Sequence, residues 1–159
     1  MHTYQLIAVS ASNEEDALTI IDCVLHDEYS PFDWADWWSI GGRWSNQFGE
    51  VISYETDPDA FTKALETAKK DRAQNVAESL ERIYDLDGGI SELRNFDGDT
   101  TTSMDLFFLD QAIAIVRGHG KCDSHFYDLE EKTESFRNIP IRIDEQPNKQ
   151  YLVVVDFHY

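Results

Sequence analysis

A run of apolar residues near the end of the chain restricts the possible folds more than any other feature. Residues 151–157 read Tyr-Leu-Val-Val-Val-Asp-Phe, a composition rich in the β-branched and aromatic side chains that favour strands. Because these apolar residues are nearly continuous and do not alternate with polar ones, the pattern is typical of a strand at the centre of a sheet. The rest of the chain must be arranged around this strand.

Other segments predict a strand and two helices that accompany it. Residues 3–10 have the composition of a strand. Ser12 and Glu15 match a capping box, and they precede apolar residues at helical spacing. Asp57 and Pro58 form a typical helix start, and the helical pattern that follows them continues for roughly seven turns of 3.6 residues.

Two hairpins are also expected. Residues 47–54 have strand character and would pair across the Gly41-Gly42 turn. Residues 139–144 would pair with the final strand across the turn at 146–149. Residues 104–116 fit either a buried helix followed by a strand or one long core strand, because periodicity does not assign short apolar runs.

Together these elements predict a single α+β domain over residues 1–159. The expected architecture is a mostly antiparallel sheet with the helices packed on one face, and a ferredoxin-like variant is the preferred topology. A chain of this length is long enough to bury a core of its own.

The charge of the chain excludes some partners and favours others. Asp and Glu number 31 against 13 Lys and Arg, so the formal net charge is −18. Nucleic acid and anionic membranes are unfavourable partners, because both are bound through lysine and arginine. A basic partner protein or a cation is favoured, although general solubility explains the same charge. A single anionic ridge would form if one face of the protein were shared by Asp22, Asp27, Glu28, Asp33, Asp36, Asp128, Glu130, Glu131 and Glu134.

The sequence also indicates a cytoplasmic protein. No apolar run approaches the roughly 18–20 residues of a membrane span, and the first residues lack the basic region of a signal peptide. The two cysteines, Cys23 and Cys122, are too few for a disulfide framework, which suits a reducing compartment.

All four tryptophans lie between residues 34 and 44, beside Gly41, Gly42 and Arg43. Three interpretations are open. The indoles fill the core of a hairpin, they anchor a protein partner, or they line a small-ligand site in which Gly41, Gly42 and Arg43 hold an anion. The residues of the partner-binding interpretation are Asp27, Glu28, Asp33, Trp34, Asp36, Trp37, Trp38, Arg43 and Trp44.

Residues 36–46 read Asp-Trp-Trp-Ser-Ile-Gly-Gly-Arg-Trp-Ser-Asn, with an aromatic pair, an Ile-Gly-Gly-Arg-aromatic core and a small polar tail. This segment resembles one found in uncharacterised small proteins of bacteriophages and some bacteria. The resemblance covers these residues alone and implies a phage or mobile-element origin. It implies no activity.

One loop contains possible metal ligands. His119, Cys122 and His125 follow a His-x2-Cys-x2-His spacing, and Cys23 and His26 form a similar pair. Imidazole and thiolate are zinc ligands, but neither set matches an established zinc module. No family signature of a Cys-His hydrolase surrounds these residues. We therefore expect no metal, no other cofactor and no catalytic residue.

The leading functional hypothesis combines the charge with the tryptophan segment. It describes an acidic, phage-type binding or inhibitor protein that mimics nucleic acid and occupies a basic, nucleic-acid-binding surface of a host protein, such as a defence nuclease or a CRISPR effector. The alternative is a binding protein or small hydrolase for a nucleotide-like anion, which would use the Gly41-Gly42-Arg43 loop. A structural protein with no partner is a third possibility.

Overall fold

The computed structural model describes residues 2–84, 113 and 125–159. Within them, a five-stranded sheet is accompanied by four α-helices and two 3-10 turns. Apart from Ile113, the ambiguous segment 104–116 lies outside the described residues. In chain order the elements are β1 (His2–Ser10), α1 (Glu14–Leu25), β2 (Trp37–Ile40), a 3-10 turn (Gly42–Trp44), α2 (Ser45–Phe48), β3 (Val51–Ser53), α3 (Pro58–Tyr84), β4 (Phe126–Asp128), α4 (Ile139–Glu145), a second 3-10 turn (Pro147–Lys149) and β5 (Gln150–His158).

β5 is the central strand of the sheet, as its sequence predicts. It pairs antiparallel with β1 along all nine residues, from Gln150 opposite Ser10 to His158 opposite His2. On its other side β5 pairs antiparallel with β2 and β3, whereas β4 joins the far side of β1 in parallel. The structure confirms the α+β class and the mostly antiparallel sheet.

The two longest of the described helices cover opposite faces of this sheet. α1 packs on the face that carries Val153 and Val155, and α3 packs on the face that carries Leu152 and Val154. The prediction that the helices share one face is wrong, because the apolar sequence of β5 places apolar side chains on both faces and each face has to be covered. The ferredoxin-like variant, which keeps its helices on one face, is not confirmed.

β2 and β3 form one interrupted edge of the sheet. Both run antiparallel to β5, and the residues on either side of Val154 pair with different strands. Val154 bridges the interruption, since its carbonyl accepts the Gly41 N–H at 2.7 Å and its N–H donates to the Glu50 carbonyl at 2.9 Å. The hairpin predicted around Gly41-Gly42 is wrong, because β5 supplies backbone partners for both segments and residues 42–49 leave the sheet between them.

A close contact between Gly42 and Asp156 holds residues 42–49 against the sheet. Gly42 has a φ of +47°, and a Cβ at this position would lie 2.4 Å from the Cβ of Asp156. Asp156 is 1% exposed, and its carboxylate accepts a hydrogen bond from the Arg43 N–H at 3.1 Å. Glycine is required at position 42 both by the backbone conformation and by the close approach to a buried carboxylate.

We expect Gly42→Ala to destabilise the protein more than Gly49→Ala. Both residues have positive φ, at +47° and +80°, so alanine should cost about 1–2 kcal/mol of unfolding free energy at either position. At position 49 the nearest atom would be 3.8 Å from the new Cβ, whereas at position 42 the collision with Asp156 should add about 1–3 kcal/mol. Urea denaturation measures both losses, and equal losses would contradict the close approach.

The starts of α1 and β3 differ from the predictions. Asn13 caps α1, and its Oδ1 accepts the Asp16 N–H at 2.9 Å. Asn and Ser are about equally good at this position, so composition did not identify the cap, and the predicted capping box is wrong. The strand expected at 47–54 is reduced to β3, because the first of these residues belong to α2 and to the turn that follows it.

Residues 139–145 form α4, where the sequence predicts a hairpin strand. Ile139 and Ile143 are four residues apart and both pack against the core beneath α3, while Ile141 is 54% exposed. Isoleucine at every second position fits a strand as well as a helix, and Pro140 in the first turn favours the helix. The C-terminal hairpin is wrong, because β5 pairs with β1, β2 and β3.

An ion-pair cluster joins α4 to the end of β4. The Arg142 guanidinium contacts the Asp128 carboxylate at 2.5 Å and the Glu130 carboxylate at 2.7 Å. Asp128 is fully buried, and this burial raises its pKa above the usual range despite the nearby guanidinium. Burial also acts to raise the pKa of Glu130, but hydrogen bonds with Ser10 and Arg142 outweigh it and lower that pKa. One guanidinium therefore serves two carboxylates at this edge.

We expect Arg142→Met to cost about 3–5 kcal/mol of unfolding free energy at pH 7, because it leaves the buried Asp128 charge without its counter-ion. The loss should be smaller at about pH 5. Because the pKa of Asp128 is raised in the folded protein, its carboxyl group stabilises the fold most when the pH is below the pKa of the unfolded state. This stabilisation is lost as the pH rises through the folded-state pKa. The contribution of Glu130, whose pKa is lowered, is lost only at lower pH. Urea denaturation at both pH values tests the sign, and a loss that grows toward pH 5 would contradict it.

Candidate functional site

The four tryptophans do not form one surface. Trp34 and Trp38 are partly buried against the core beneath α1, and Trp44 is partly buried against the core beneath α3. Trp37 is 51% exposed. The core interpretation therefore describes three of the indoles, and Trp37 is the one whose exposure suits contact with a partner.

The geometry of β2 explains why the neighbouring residues Trp37 and Trp38 differ in exposure. Trp37 lies opposite His158 and Trp38 lies opposite Phe157, so the two indoles point to opposite faces of the sheet. Trp38 packs with the core residues of its face. Trp37 stands at the edge of the sheet beyond the last residues of the core, and its ring centre is 6.0 Å from that of His2.

The segment that leads from α1 to β2 carries exposed carboxylates, and Asp36 among them reaches this end of the sheet. Its exposed acidic residues are Asp27, Glu28, Asp33 and Asp36. Asp36 directly precedes Trp37, and its Oδ1 lies 2.6 Å from the Nδ1 of His158. Asp27 accepts the Tyr29 N–H at 2.8 Å and so shapes the turn after α1. The structure therefore combines an exposed indole with exposed carboxylates in one segment of the chain.

The single anionic ridge expected from the sequence does not form. Asp128 is fully buried and Glu130 shares the guanidinium of Arg142, so both of these carboxylates are engaged in the ion-pair cluster. Asp128 also lies beside Ala8, toward the Ser10 end of β1. Trp37 lies at the opposite, His2 end of the sheet. The expected ridge is therefore divided between the two ends of the molecule.

Two of the backbone donors of the Gly41-Gly42-Arg43 loop are used within the protein. The Gly41 N–H donates to the Val154 carbonyl at 2.7 Å, and the Arg43 N–H donates to the Asp156 carboxylate at 3.1 Å. The Arg43 side chain is exposed. An anionic ligand at the loop would meet the negative charge of Asp156 in place of these amides. This arrangement disfavours the small-anion interpretation.

Two histidine–carboxylate pairs form a cluster that the sequence analysis missed. His2 Nδ1 lies 2.9 Å from Asp156 Oδ1, and His158 Nδ1 lies 2.6 Å from Asp36 Oδ1. The two imidazole centres are 4.8 Å apart, next to Trp37. The signal that would have found them is the register. His2 directly precedes the strand predicted at residues 3–10, and His158 directly follows the apolar run at residues 151–157, so antiparallel pairing of those strands in register brings the two histidines together.

The predicted metal candidates are only partly within the described residues. His119 and Cys122 lie outside them. His125 is buried, with its Nδ1 3.1 Å from the Tyr4 carbonyl and its Nε2 2.8 Å from the Asn75 side-chain nitrogen. Both ring nitrogens are engaged, so His125 offers no free lone pair to a metal. Cys23 is an exposed free thiol.

A polar cavity of about 230 Å³ opens at the end of the sheet opposite Trp37. Arg142 and Glu130 of the ion-pair cluster lie in its wall, and the buried Nε of Arg142 has no hydrogen-bond partner among the described residues. The cavity is lined by Ser10, Glu130, Arg142, Glu145, Gln146 and Gln150. Because carboxylates outnumber the single guanidinium, this cavity suits a small cation or polar group better than an anion.

Comparison of the chain with protein-family models, with curated proteins and with solved structures gives no match. In the described part of the chain, no helix combines the length and the apolar composition that a membrane span requires.

We expect Trp34→Ala to cost about 3 kcal/mol of unfolding free energy and Trp37→Ala less than about 1 kcal/mol. Trp34 is packed with its ring centre 5.1 Å from that of Phe157, whereas Trp37 is half exposed. Urea denaturation of the two variants gives the comparison. A loss for Trp37→Ala as large as that for Trp34→Ala would show that this indole is structural.

Proposed function

We propose that the chain is a non-enzymatic binding protein that docks on a basic surface of a partner protein. The observation that supports this proposal is the 51% exposed Trp37 at an edge of the sheet, directly after the exposed carboxylate segment of residues 27–36. Tryptophan is a favoured anchor of protein interfaces, and carboxylates select a basic partner. We call Trp37 and these carboxylates the acidic docking surface; the carboxylates are Asp27, Glu28, Asp33 and Asp36.

The mechanism combines long-range attraction with local packing. A net charge of −18 attracts a basic partner and raises the rate of encounter. Burial of Trp37 in the complex then slows dissociation, which is where most differences in affinity arise. Docking of this kind would cover lysine and arginine side chains that otherwise bind phosphates, so the protein would compete with nucleic acid.

The proposed partner is a nucleic-acid-binding protein of a bacterial host, and the proposed location is the cytoplasm. The resemblance of residues 36–46 to small phage and bacterial proteins supports this setting. Defence nucleases and CRISPR effectors are partners of the expected chemistry, because each holds nucleic acid in a positively charged channel. The alternative of a nucleotide-like ligand is less well supported, since the Arg43 N–H already donates to the Asp156 carboxylate and the Gly41 N–H to the Val154 carbonyl.

We expect binding to weaken steeply as salt increases. Capture from bacterial lysate at about 50 mM NaCl supplies the partner, and titration with labelled duplex DNA then shows whether the two compete. Glu28→Lys and Asp33→Lys should slow association by about tenfold, and Trp37→Ala should mainly speed dissociation. Surface plasmon resonance separates these rates.

Glu55→Lys is the matched control for the two charge reversals. This substitution changes the net charge by the same amount as each of the other two. Glu55 is exposed and follows β3 near Gln150, which is the end of β5 away from Trp37. Its association rate should stay close to that of the wild type. Equal association rates for Glu28→Lys and Glu55→Lys, or equal affinity at about 50 and 500 mM NaCl, would contradict binding through the acidic docking surface.

A further inference from the structure

Two histidines that are far apart in the sequence lie side by side at the end of the sheet. His2 is opposite His158 in the β1–β5 register, and their ring centres are 4.8 Å apart. Their side chains are 22% and 39% exposed, so solvent reaches both imidazoles. We propose that this pair binds a divalent transition-metal ion, with zinc as the reference ion, through the Nε2 atom of each ring.

Each ring is oriented by a carboxylate that contacts its other nitrogen. The Nδ1 of His2 bonds to Asp156 at 2.9 Å, and the Nδ1 of His158 bonds to Asp36 at 2.6 Å. A carboxylate accepts hydrogen bonds, so the neutral ring carries its proton on Nδ1 and its lone pair on Nε2. Within the described residues, neither Nε2 has a hydrogen-bond partner. A carboxylate behind the imidazole is the usual support of a metal-binding histidine, because it fixes the tautomer and raises the basicity of the ligand.

The spacing of the rings suits one shared ion. At a zinc–nitrogen distance of about 2.1 Å, two imidazoles on a tetrahedral ion have ring centres about 5 Å apart. The observed distance between the two ring centres, 4.8 Å, is close to this value. The described residues contain no group of three metal-binding side chains. Two coordination positions would therefore be occupied by water, which defines an open site.

The surroundings favour a cation at this place. Asp156 is 1% exposed beneath the imidazoles, and Asp36 is exposed beside them. The chain carries a formal net charge of −18, which raises the local concentration of cations. Zinc binding here needs no protein partner, so its failure would leave the acidic docking surface untouched, and the reverse is also true.

Calorimetric titration of zinc chloride into the 159-residue chain tests the site. We expect His2→Ala and His158→Ala each to weaken one equivalent of zinc binding by at least about tenfold. His26→Ala is the matched control, because His26 is an exposed histidine whose Nδ1 faces the Asp22 carbonyl of its own helix at 2.9 Å. The control should bind zinc as the wild type does.

A second measurement follows the imidazoles directly. In nitrogen-15 spectra of the histidine rings, zinc should shift the Nε2 signals of His2 and His158 together and leave that of His26 in place. Loss of binding in only one of the two variants, or shifts that occur at different zinc concentrations, would overturn the shared site. Circular dichroism checks that each variant is folded, and glutamine replaces alanine in any variant that is not.

Asp36→Asn separates the positioning role of the carboxylate from the ligands. Asparagine at this position still offers an oxygen to His158 Nδ1 but carries no charge, so zinc affinity should fall by about tenfold while the stoichiometry stays the same. Affinity equal to that of the wild type would show that Asp36 does not support the metal ligand.

Discussion

The antiparallel pairing of β1 with β5 is the interaction on which the other elements depend. It joins nine residue pairs from opposite ends of the chain, and both strands are buried over nearly all of their length. α1 and α3 find apolar surfaces on opposite faces because Val153 and Leu152 of β5 point in opposite directions. Within the described part of the chain, β2 and β3 in turn pair with β5 and with no other strand. Such long-range pairing must form before the sheet is complete, which favours slow folding.

Local signals explain which elements were predictable. Residues 151–157 are apolar throughout, and Asp57 accepts the Ala60 N–H at 2.8 Å as a helix cap, so both predictions are confirmed. β4 has only three residues and is held by distant contacts with β1, so no local pattern indicates it. The Gly41-Gly42 pair indicates a change of chain direction, but that signal is the same for a hairpin and for an interrupted edge strand.

The candidate site was less predictable than the fold, because it depends on register. Trp37 and Trp38 are adjacent and chemically identical, yet one is exposed and the other packs in the core. A shift of β2 by one residue against β5 would exchange them, and the sequence does not determine that phase. The pairing of His2 with His158 likewise requires two strands in a defined register. The exposed carboxylates next to Trp37 were predictable, because charge near a chain turn is a local property.

The same register has a practical consequence for protein engineering. His2 and His158 are directly opposite each other, so a peptide attached beside either histidine would lie at the end of the sheet that carries Trp37. A purification tag would crowd the indole there, and a polyhistidine tag would also place foreign imidazoles beside the native pair. The exposed turn at residues 55–56 lies at the other end of the sheet and is the better position for an affinity label or a fluorophore.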